Sequence, residues 1–369
     1  MPINRIRRWT CSIVLVVCVV ATTAWAARLG IQAAATQSSF AQLVDELSEP
    51  GGEFDTDNLI SNEKSYLHVV PQLERRGVTG GVYIGVGPDQ NFSYIARIHP
   101  AIAFIVDIRR DNLLLHLLLK ALFAASRNRV EYLSLLTGRP VPDRVDAWRG
   151  SNIDQIVAYI DGNKPSGALA LDLRLHDAIK RFGVPASAQD FANIDRFHAA
   201  FVDSGLSLRF HSFGRPPQSY DPTLRELLIE TDRQGRQLSY LAAEDDFQFV
   251  RALEARDGVI PVVGDLAGPH AIAAIGQWMT NHNERLSAFY VSNVENYLFR
   301  GGGFERYMEN LNHLPHTGRS VIIRSIFGGY GLPESVPGYY STSAVQDFND
   351  MLANYLAGKY RSYSDIFER

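Results

Sequence analysis

Residues 82–91 read VYIGVGPDQN, and residues 101–112 read AIAFIVDIRRDN. Each segment opens with an apolar run and continues with glycine, acidic or amide residues. A short, continuous apolar run bounded by such residues predicts a strand buried on both faces, as in a parallel sheet covered by helices. Between the two runs, Gln90–Ile98 has the length of a short helix, and Pro100 ends it. The two segments therefore predict a strand, a helix and a second strand in succession.

The same alternation of apolar strands and helices returns in the last third of the chain. Strands are predicted at Val259–Val263, Leu286–Val291 and Ser320–Ile323, and helices at Asn112–Ser126, Ala271–Met279, Phe304–Leu311 and Ala344–Leu356. Helices predicted between the two alternating parts are Ile153–Ile160, Asp190–Ser204, Leu224–Ile229 and Asp245–Arg256. We therefore expect an α/β protein with a Rossmann-type, three-layer, doubly wound and mostly parallel sheet, interrupted by a large helical insertion.

The composition is that of an ordinary globular protein and excludes several classes of function. Of 369 residues, 46% are hydrophobic and 21% charged, and the net charge is −4, so disorder and nucleic-acid binding are not expected. The cysteines are Cys11 and Cys18. If the N-terminal segment is removed, no disulfide, thiolate metal site or cysteine nucleophile remains. No metal is expected either, because Pro315 keeps His313 and His316 from sharing one helix face.

The N-terminus has the three parts of an export signal. Arg5, Arg7 and Arg8 precede the apolar run Cys11–Ala21, and Ala24-Trp25-Ala26 has the small residues that signal peptidase recognises. The apolar segment is also close to the shortest membrane span, so a retained anchor is the alternative. Because the basic side stays in the cytoplasm, we expect an exported protein that is periplasmic, or anchored in the inner membrane and facing outward.

Changes of pattern divide the chain into five expected segments. These are a signal peptide or membrane anchor at 1–27, a spacer and N-terminal helix at 28–60, the first half of the α/β domain at 61–126, a helical insertion that caps the strand ends at 127–255, and the second half of the domain at 256–369. Contact with a membrane is expected only through the first segment.

Small or polar residues lie at the ends of four predicted strands. They are Gly85, Gly87 and Asn91 at the first strand, Asp107 at the second, Asp265 at the third, and Asn293, Glu295 and Tyr297 at the fourth. Ligands of open α/β sheets bind outside the carboxyl ends of the strands, so we expect one shared site. Glycines let the backbone approach a ligand, and the two aspartates can accept hydrogen bonds from a ribose and an adenine. Glu295 is the expected general base, Tyr297 a hydrogen-bond donor and Asn293 an orienting group.

This order of motifs resembles the class I S-adenosylmethionine-dependent methyltransferases over about 82–126 and 257–325. The resemblance implies that the cofactor is S-adenosylmethionine and that an unknown acceptor meets Ser292–Tyr297. The cofactor-binding residues it implies are Gly85, Gly87, Asn91, Asp107 and Asp265. Two residues depart from the family's glycine loop: Tyr83 stands where an acidic residue is usual, and Asp89 where a third glycine is usual. The motifs GVGPDQN and FIVDIRRDN also resemble those of an uncharacterised exported bacterial family.

The candidate residues have structural explanations as well. Asp107 can pair with Arg109 or Arg110, Asp265 can cap the helix at Ala271, and a glycine pair can form a tight turn without a ligand. A second hypothesis therefore remains open, an exported non-catalytic binding or scaffold protein that keeps the fold. The sequence leaves the acceptor and the oligomeric state undetermined.

Overall fold

The computed structural model describes residues 40–166, 169–328 and 331–367. The expected signal peptide or membrane anchor at 1–27 and the spacer up to residue 39 lie outside the described residues. Among the described helices, none combines the length and the apolar character that a membrane crossing needs.

The described part of the chain forms one sheet of six strands. The strands are β1 (Val82–Val86), β2 (Ile102–Asp107), β3 (Val259–Val263), β4 (Leu286–Ser292), β5 (Val321–Phe327) and β6 (Ser341–Asp347). Their order across the sheet is β3-β2-β1-β4-β5-β6, and only β6 runs antiparallel to its neighbour. The predicted α/β class with a mostly parallel sheet is therefore confirmed.

Helices connect the strands and surround them. They are α1 (40–47), α2 (Val70–Arg76), α3 (Gln90–Ile98), α4 (Arg110–Ala125), α5 (Arg129–Leu136), α6 (Ile153–Asp161), α7 (Leu169–Arg181), α8 (Ala188–Ser204), α9 (Leu224–Leu228), α10 (Glu244–Ala255), α11 (Ala271–Asn281), α12 (Val294–Gly301), α13 (Phe304–Asn312) and α14 (Phe348–Leu356). Helices α5 to α10 follow α4 and precede β3, which confirms the helical character predicted for this part of the chain.

The burial of the strands explains why they could be recognised. All five residues of β1 are buried, and so are all five of β3. Strand β3 contains Pro261, which has no N–H to donate to a neighbouring strand. The fold tolerates this proline because β3 lies at the edge of the sheet and pairs with β2 alone.

The C-terminal prediction of a helix at Ala344–Leu356 is wrong in its first part. Residues Ser341–Asp347 form β6, and the helix begins only at Phe348. Strand β6 pairs along its whole length with β5, which would otherwise present an unpaired edge. Pairing of the backbone therefore outweighs the weak local preference for a helix.

The order of the strands reverses at β1. Strands β2 and β3 lie on one side of β1, while β4, β5 and β6 lie on the other. Connections that leave β1 and β4 therefore diverge, and they leave a crevice at the carboxyl ends of these two strands. This crevice is where the polar residues at the strand ends can meet.

Candidate functional site

A cavity of about 620 Å³ lies at the carboxyl ends of the parallel strands. Five of the predicted site residues line it: Gly87, Asp107, Asp265, Asn293 and Tyr297. The segments 54–63 and 210–221 supply further walls. The other three predicted residues, Gly85, Asn91 and Glu295, do not line this cavity. The volume is in the range of small-molecule sites.

The loop after β1 presents the backbone of Gly87 to the cavity. Gly87 has φ of +81°, and a Cβ added there would meet only the Gln90 side chain, at 3.7 Å. The Gly87 carbonyl oxygen accepts a hydrogen bond from Nε2 of His116 over 3.0 Å. Burial lowers the pKa of His116 to about 4, so the ring that donates is neutral at pH 7. The histidine thus fixes a loop that leaves open space above a glycine.

Gly85 and Asn91 shape this loop from behind. The Asn91 amide nitrogen donates to the carbonyls of Val86 (2.9 Å) and Pro88 (2.7 Å), and its oxygen accepts from the Tyr83 hydroxyl (2.7 Å). A Cβ on Gly85 would lie 2.0 Å from the Asn91 oxygen, so only glycine fits there. The structure therefore gives both residues a supporting position. Tyr83, the departure from the family's loop, takes part in the same network.

Asp107 at the end of β2 is held by Arg109. Its Oδ1 accepts from the backbone N–H (2.9 Å) and Nε (3.1 Å) of Arg109, and its Oδ2 accepts from Nη2 (2.9 Å). Nη1 of Arg109 donates to the carbonyls of Thr56 (2.9 Å) and Asp57 (3.1 Å). The predicted alternative of a pair with Arg109 is therefore confirmed. Because a carboxylate oxygen has two acceptor positions, Oδ2 keeps one for a ligand.

Asp265 follows β3 and leaves the capping of the next helix to Glu49. Oε2 of Glu49 accepts from the backbone N–H groups of His270 (2.9 Å) and Ala271 (3.2 Å), at the start of α11. Oε1 of Glu49 accepts from the Asp265 N–H (2.8 Å), which fixes the loop. The Asp265 side chain accepts from the Ala267 N–H (2.9 Å) and lines the cavity. Its carboxylate is thus a second acceptor on the cavity wall.

Glu295 points away from the cavity into the protein. It is 1% exposed, and its carboxylate pairs with Nε (2.7 Å) and Nη2 (3.1 Å) of Arg324 in β5. The Tyr307 hydroxyl donates to the same carboxylate over 3.3 Å. This position therefore does not support the predicted role of Glu295 as general base, because the carboxylate is held in a buried ion pair.

Tyr297 and Asn293 do face the cavity. The Tyr297 ring is 41% exposed and makes an edge contact with Phe54, with ring centroids 4.9 Å apart. Burial of its hydroxyl raises the pKa of Tyr297 above its usual value, so the hydroxyl remains a donor at neutral pH. Asn293 precedes α12, whose first turn has no side-chain cap. The wall formed by Asn293 and Tyr297 therefore offers hydrogen-bond donors, whereas the wall at the ends of β1–β3 offers hydrogen-bond acceptors.

Glu63, which no local sequence pattern singles out, lines the floor of the cavity. Glu63 is fully buried, and its carboxylate accepts hydrogen bonds from the hydroxyls of Tyr290 (2.5 Å), Ser325 (2.5 Å) and Ser292. No ion pair joins it to a described residue, and burial raises its pKa. An uncompensated buried carboxyl next to a cavity is typical of a functional site.

Ser292 connects Glu63 to the cavity and has an unusual backbone. It has φ of +53°, in the left-handed region that residues other than glycine rarely adopt. The β4–β5 pairing is irregular between Tyr290 and Ser292, where the chain turns into α12. Backbone strain of this kind persists where the surrounding structure enforces it, often at functional sites.

Two buried polar atoms on the cavity wall have no hydrogen-bond partner among the described residues. They are Oε1 of Gln90 and Oγ1 of Thr56. Gln90 is 6% exposed, and its Nε2 donates to the Tyr290 hydroxyl over 3.1 Å. Buried polar atoms are nearly always paired, so these two atoms mark places where a ligand can supply a partner.

Comparison with known proteins gives a family and no activity. No curated protein matches the chain. The model of a domain of unknown function, DUF7790, matches residues 59–145 and 211–369, which include the strands and leave out α6 to α8. Because this match covers about two thirds of the sequence, the chain belongs to the family of the domain of unknown function DUF7790.

Proposed function

We propose that the protein is an exported methyltransferase of Rossmann-type, three-layer fold that uses S-adenosylmethionine on an acceptor still to be identified. The observation that carries the proposal is the meeting of Gly87, Asp107 and Asp265, from the ends of β1, β2 and β3, on one cavity. Support for the fold comes from the strand order, with its reversal at β1 and its antiparallel last strand.

The hydrogen-bonding character of the cavity wall fits this cofactor. S-adenosylmethionine presents donors in its ammonium group, its ribose hydroxyls and its adenine amino group. The wall formed by β1–β3 and the neighbouring loop offers acceptors, namely the carboxylates of Asp107 and Asp265 and the unpaired oxygens of Gln90 and Thr56. A ligand rich in donors would satisfy these atoms, two of which are buried without a partner among the described residues.

The chemistry asks little of the protein beyond alignment. S-adenosylmethionine supplies an electrophilic methyl group when it is bound. The residues of this chain hold the acceptor near Asn293 and Tyr297, where Tyr297 donates a hydrogen bond. Holding two reactants in a reactive geometry can supply about 7–11 kcal/mol of a barrier. The reaction also needs a general base that removes a proton from the methyl acceptor.

A non-catalytic binding protein is the second candidate, and the Asp107–Arg109 pair favours it. Arg109 and its backbone N–H take three of the hydrogen bonds that the Asp107 carboxylate can accept. A ribose with two free hydroxyls needs two acceptor positions, and Oδ2 offers one of them unless the arginine moves. The two candidates therefore differ in whether the nucleoside part binds at all.

Thermal shift with four ligands separates these candidates. The full-length protein is heated with S-adenosylmethionine, S-adenosylhomocysteine, NAD or ATP. A ligand at one hundred times its dissociation constant stabilises the folded state by about 2.7 kcal/mol, a shift of several degrees. The methyltransferase proposal expects shifts with the first two ligands only. Shifts with none of the four leave the binding protein as the better explanation.

A further inference from the structure

The hydroxyl of Ser292 can offer a cavity ligand only lone pairs. Its single O–H has Oε1 of Glu63 as its near acceptor and Oδ1 of Asn293 as a more distant one at 3.4 Å, so a partner on the cavity side must be a donor. Ser292 lines the cavity and is partly exposed, whereas Glu63 behind it is fully buried. Of the three residues whose hydroxyls donate to Glu63, Ser292 is the one that lines the cavity, so its hydroxyl joins a ligand to the buried carboxylate.

Glu63 is suited to take up one proton. Three hydroxyls donate to its carboxylate, and no described cation pairs with it. The three O–H donors stabilise the charged carboxylate, whereas burial without a cation raises its pKa and so strengthens its affinity for a proton. A proton transferred through Ser292 would neutralise the Glu63 carboxylate without changing the packing around it.

The aromatic side chains of the cavity indicate which chemical group carries the donor. Six of them line it: Phe54, Phe210, Tyr220, Tyr297, Phe327 and Tyr340. Tyr220 and Tyr340 are stacked at 3.8 Å and remain 44% and 45% exposed. Exposed, stacked rings pack well against another flat ring.

The charges of the cavity lining are close to balanced. Four arginines line the cavity, Arg109, Arg215, Arg300 and Arg306, and so do five acidic residues, Asp55, Glu63, Asp107, Asp221 and Asp265. Arg109 pairs with Asp107 and Arg215 pairs with Asp55. A neutral hydroxyl on an aromatic ring needs no counter-charge in such a lining.

We propose that Ser292 and Glu63 form a proton-accepting pair and that the ligand of this half of the cavity is a phenol. The phenol hydroxyl donates to Oγ of Ser292. Its proton passes to that oxygen while the proton of Ser292 passes to Oε1 of Glu63, which leaves a phenolate and a neutral carboxyl and changes no other bond. That the phenolate oxygen is then methylated rests on the proposed function, but the binding and the proton transfer do not.

Two nitroaromatic probes test the pair without a cofactor. Calorimetry of the full-length protein compares 4-nitrophenol with 4-nitroanisole, which has the same ring but no hydroxyl. We expect the phenol to bind at least about 10-fold more tightly, as for a hydrogen bond to a charge-assisted acceptor. We also expect bound 4-nitrophenol to show its phenolate absorbance at a lower pH than in solution.

The matched variants are Ser292→Gly and Ser325→Ala. Each removes one hydroxyl that donates to Glu63, but only Ser292 lines the cavity. Glycine also suits φ of +53°, so the first variant is expected to fold. We expect the preference for the phenol to fall to about 2-fold or less in Ser292→Gly and to persist in Ser325→Ala. Glu63→Gln should lose the shift of the phenolate absorbance.

Several results would overturn the proposal. They are equal affinity of the wild-type protein for both probes, no binding of 4-nitrophenol, a preference that survives in Ser292→Gly, or tighter binding of 4-nitrobenzylamine, the ammonium analogue. Failure of S-adenosylmethionine to bind, with the phenol preference intact, would refute the methyltransferase alone. The proton-accepting pair would then belong to a different activity.

Discussion

Replacing Glu295 by glutamine removes the negative charge that balances Arg324 inside the protein. The two side chains are 1% and 3% exposed, with Nε–Oε2 at 2.7 Å and Nη2–Oε1 at 3.1 Å. The remaining nitrogen of Arg324 donates to the neutral Gln346 side chain over 2.7 Å. Glutamine keeps one acceptor oxygen but turns an NH₂ group towards a guanidinium, so a buried cation loses its counter-charge.

The expected loss of stability is about 3–5 kcal/mol, the range for removing one partner of a buried pair. Burial alone would lower the pKa of Arg324, but the Glu295 carboxylate more than offsets it and raises that pKa. Equilibrium urea unfolding, followed by circular dichroism at pH 7, measures the change. The double variant Glu295→Leu/Arg324→Met serves as the control, because apolar replacement of both charges is often neutral.

A Glu295→Gln protein that unfolds within about 1 kcal/mol of the wild type would refute this reasoning. If Glu295→Gln kept the wild-type stability but lost ligand binding, Glu295 would have a role in the site. If the structural role is right, the folded fraction of Glu295→Gln binds ligands as the wild type does.

Two further substitutions test the loop after β1. Gly85→Ala should lower the free energy of unfolding in urea by about 1–3 kcal/mol, because its Cβ would lie 2.0 Å from Asn91 and 2.8 Å from Tyr83. Gly150→Ala, which has open space around its Cβ, is the control and should change stability little. Equal losses in the two variants would contradict the packing argument. Burial raises the folded-state pKa of Asp89 from 3.8 to about 6, so the stability of the wild type falls as pH rises from 4 to 6. Asp89→Asn removes this loss. It should therefore be increasingly more stable than the wild type across this window, by up to about 3 kcal/mol. Melting temperatures that differ by the same amount at every pH would contradict it.

The sequence predicted the parallel strands well because each is a continuous apolar run. Runs such as Val82–Val86 and Val259–Val263 have the burial that a covered parallel sheet requires. Strand β6 reads STSAVQD and has no such run, so its identity depends on pairing with β5. Pairing between segments is not visible in the local pattern, and the prediction of a helix failed there.

At the site, the sequence predicted which strand ends matter but not the direction of every side chain. Glu295 lies three residues before Leu298 on α12, and both are buried, so the phase of this helix turns Glu295 inward. The charged Arg324 within the apolar run of β5 was the signal that a buried partner had to exist. Glu63 gave no comparable signal, because its partners Tyr290 and Ser325 are 227 and 262 residues away.

The central claim is that the cavity binds S-adenosylmethionine through Asp107, and calorimetric titration of the full-length protein tests it most directly. Asp107→Asn keeps the shape of the side chain and removes its charge. Asp111→Asn, four residues later and outside the cavity lining, is the matched control. We predict binding that is at least about 10-fold weaker in Asp107→Asn and unchanged in Asp111→Asn. No heat of binding from the folded wild-type protein, or equal affinity in all three proteins, would contradict the claim.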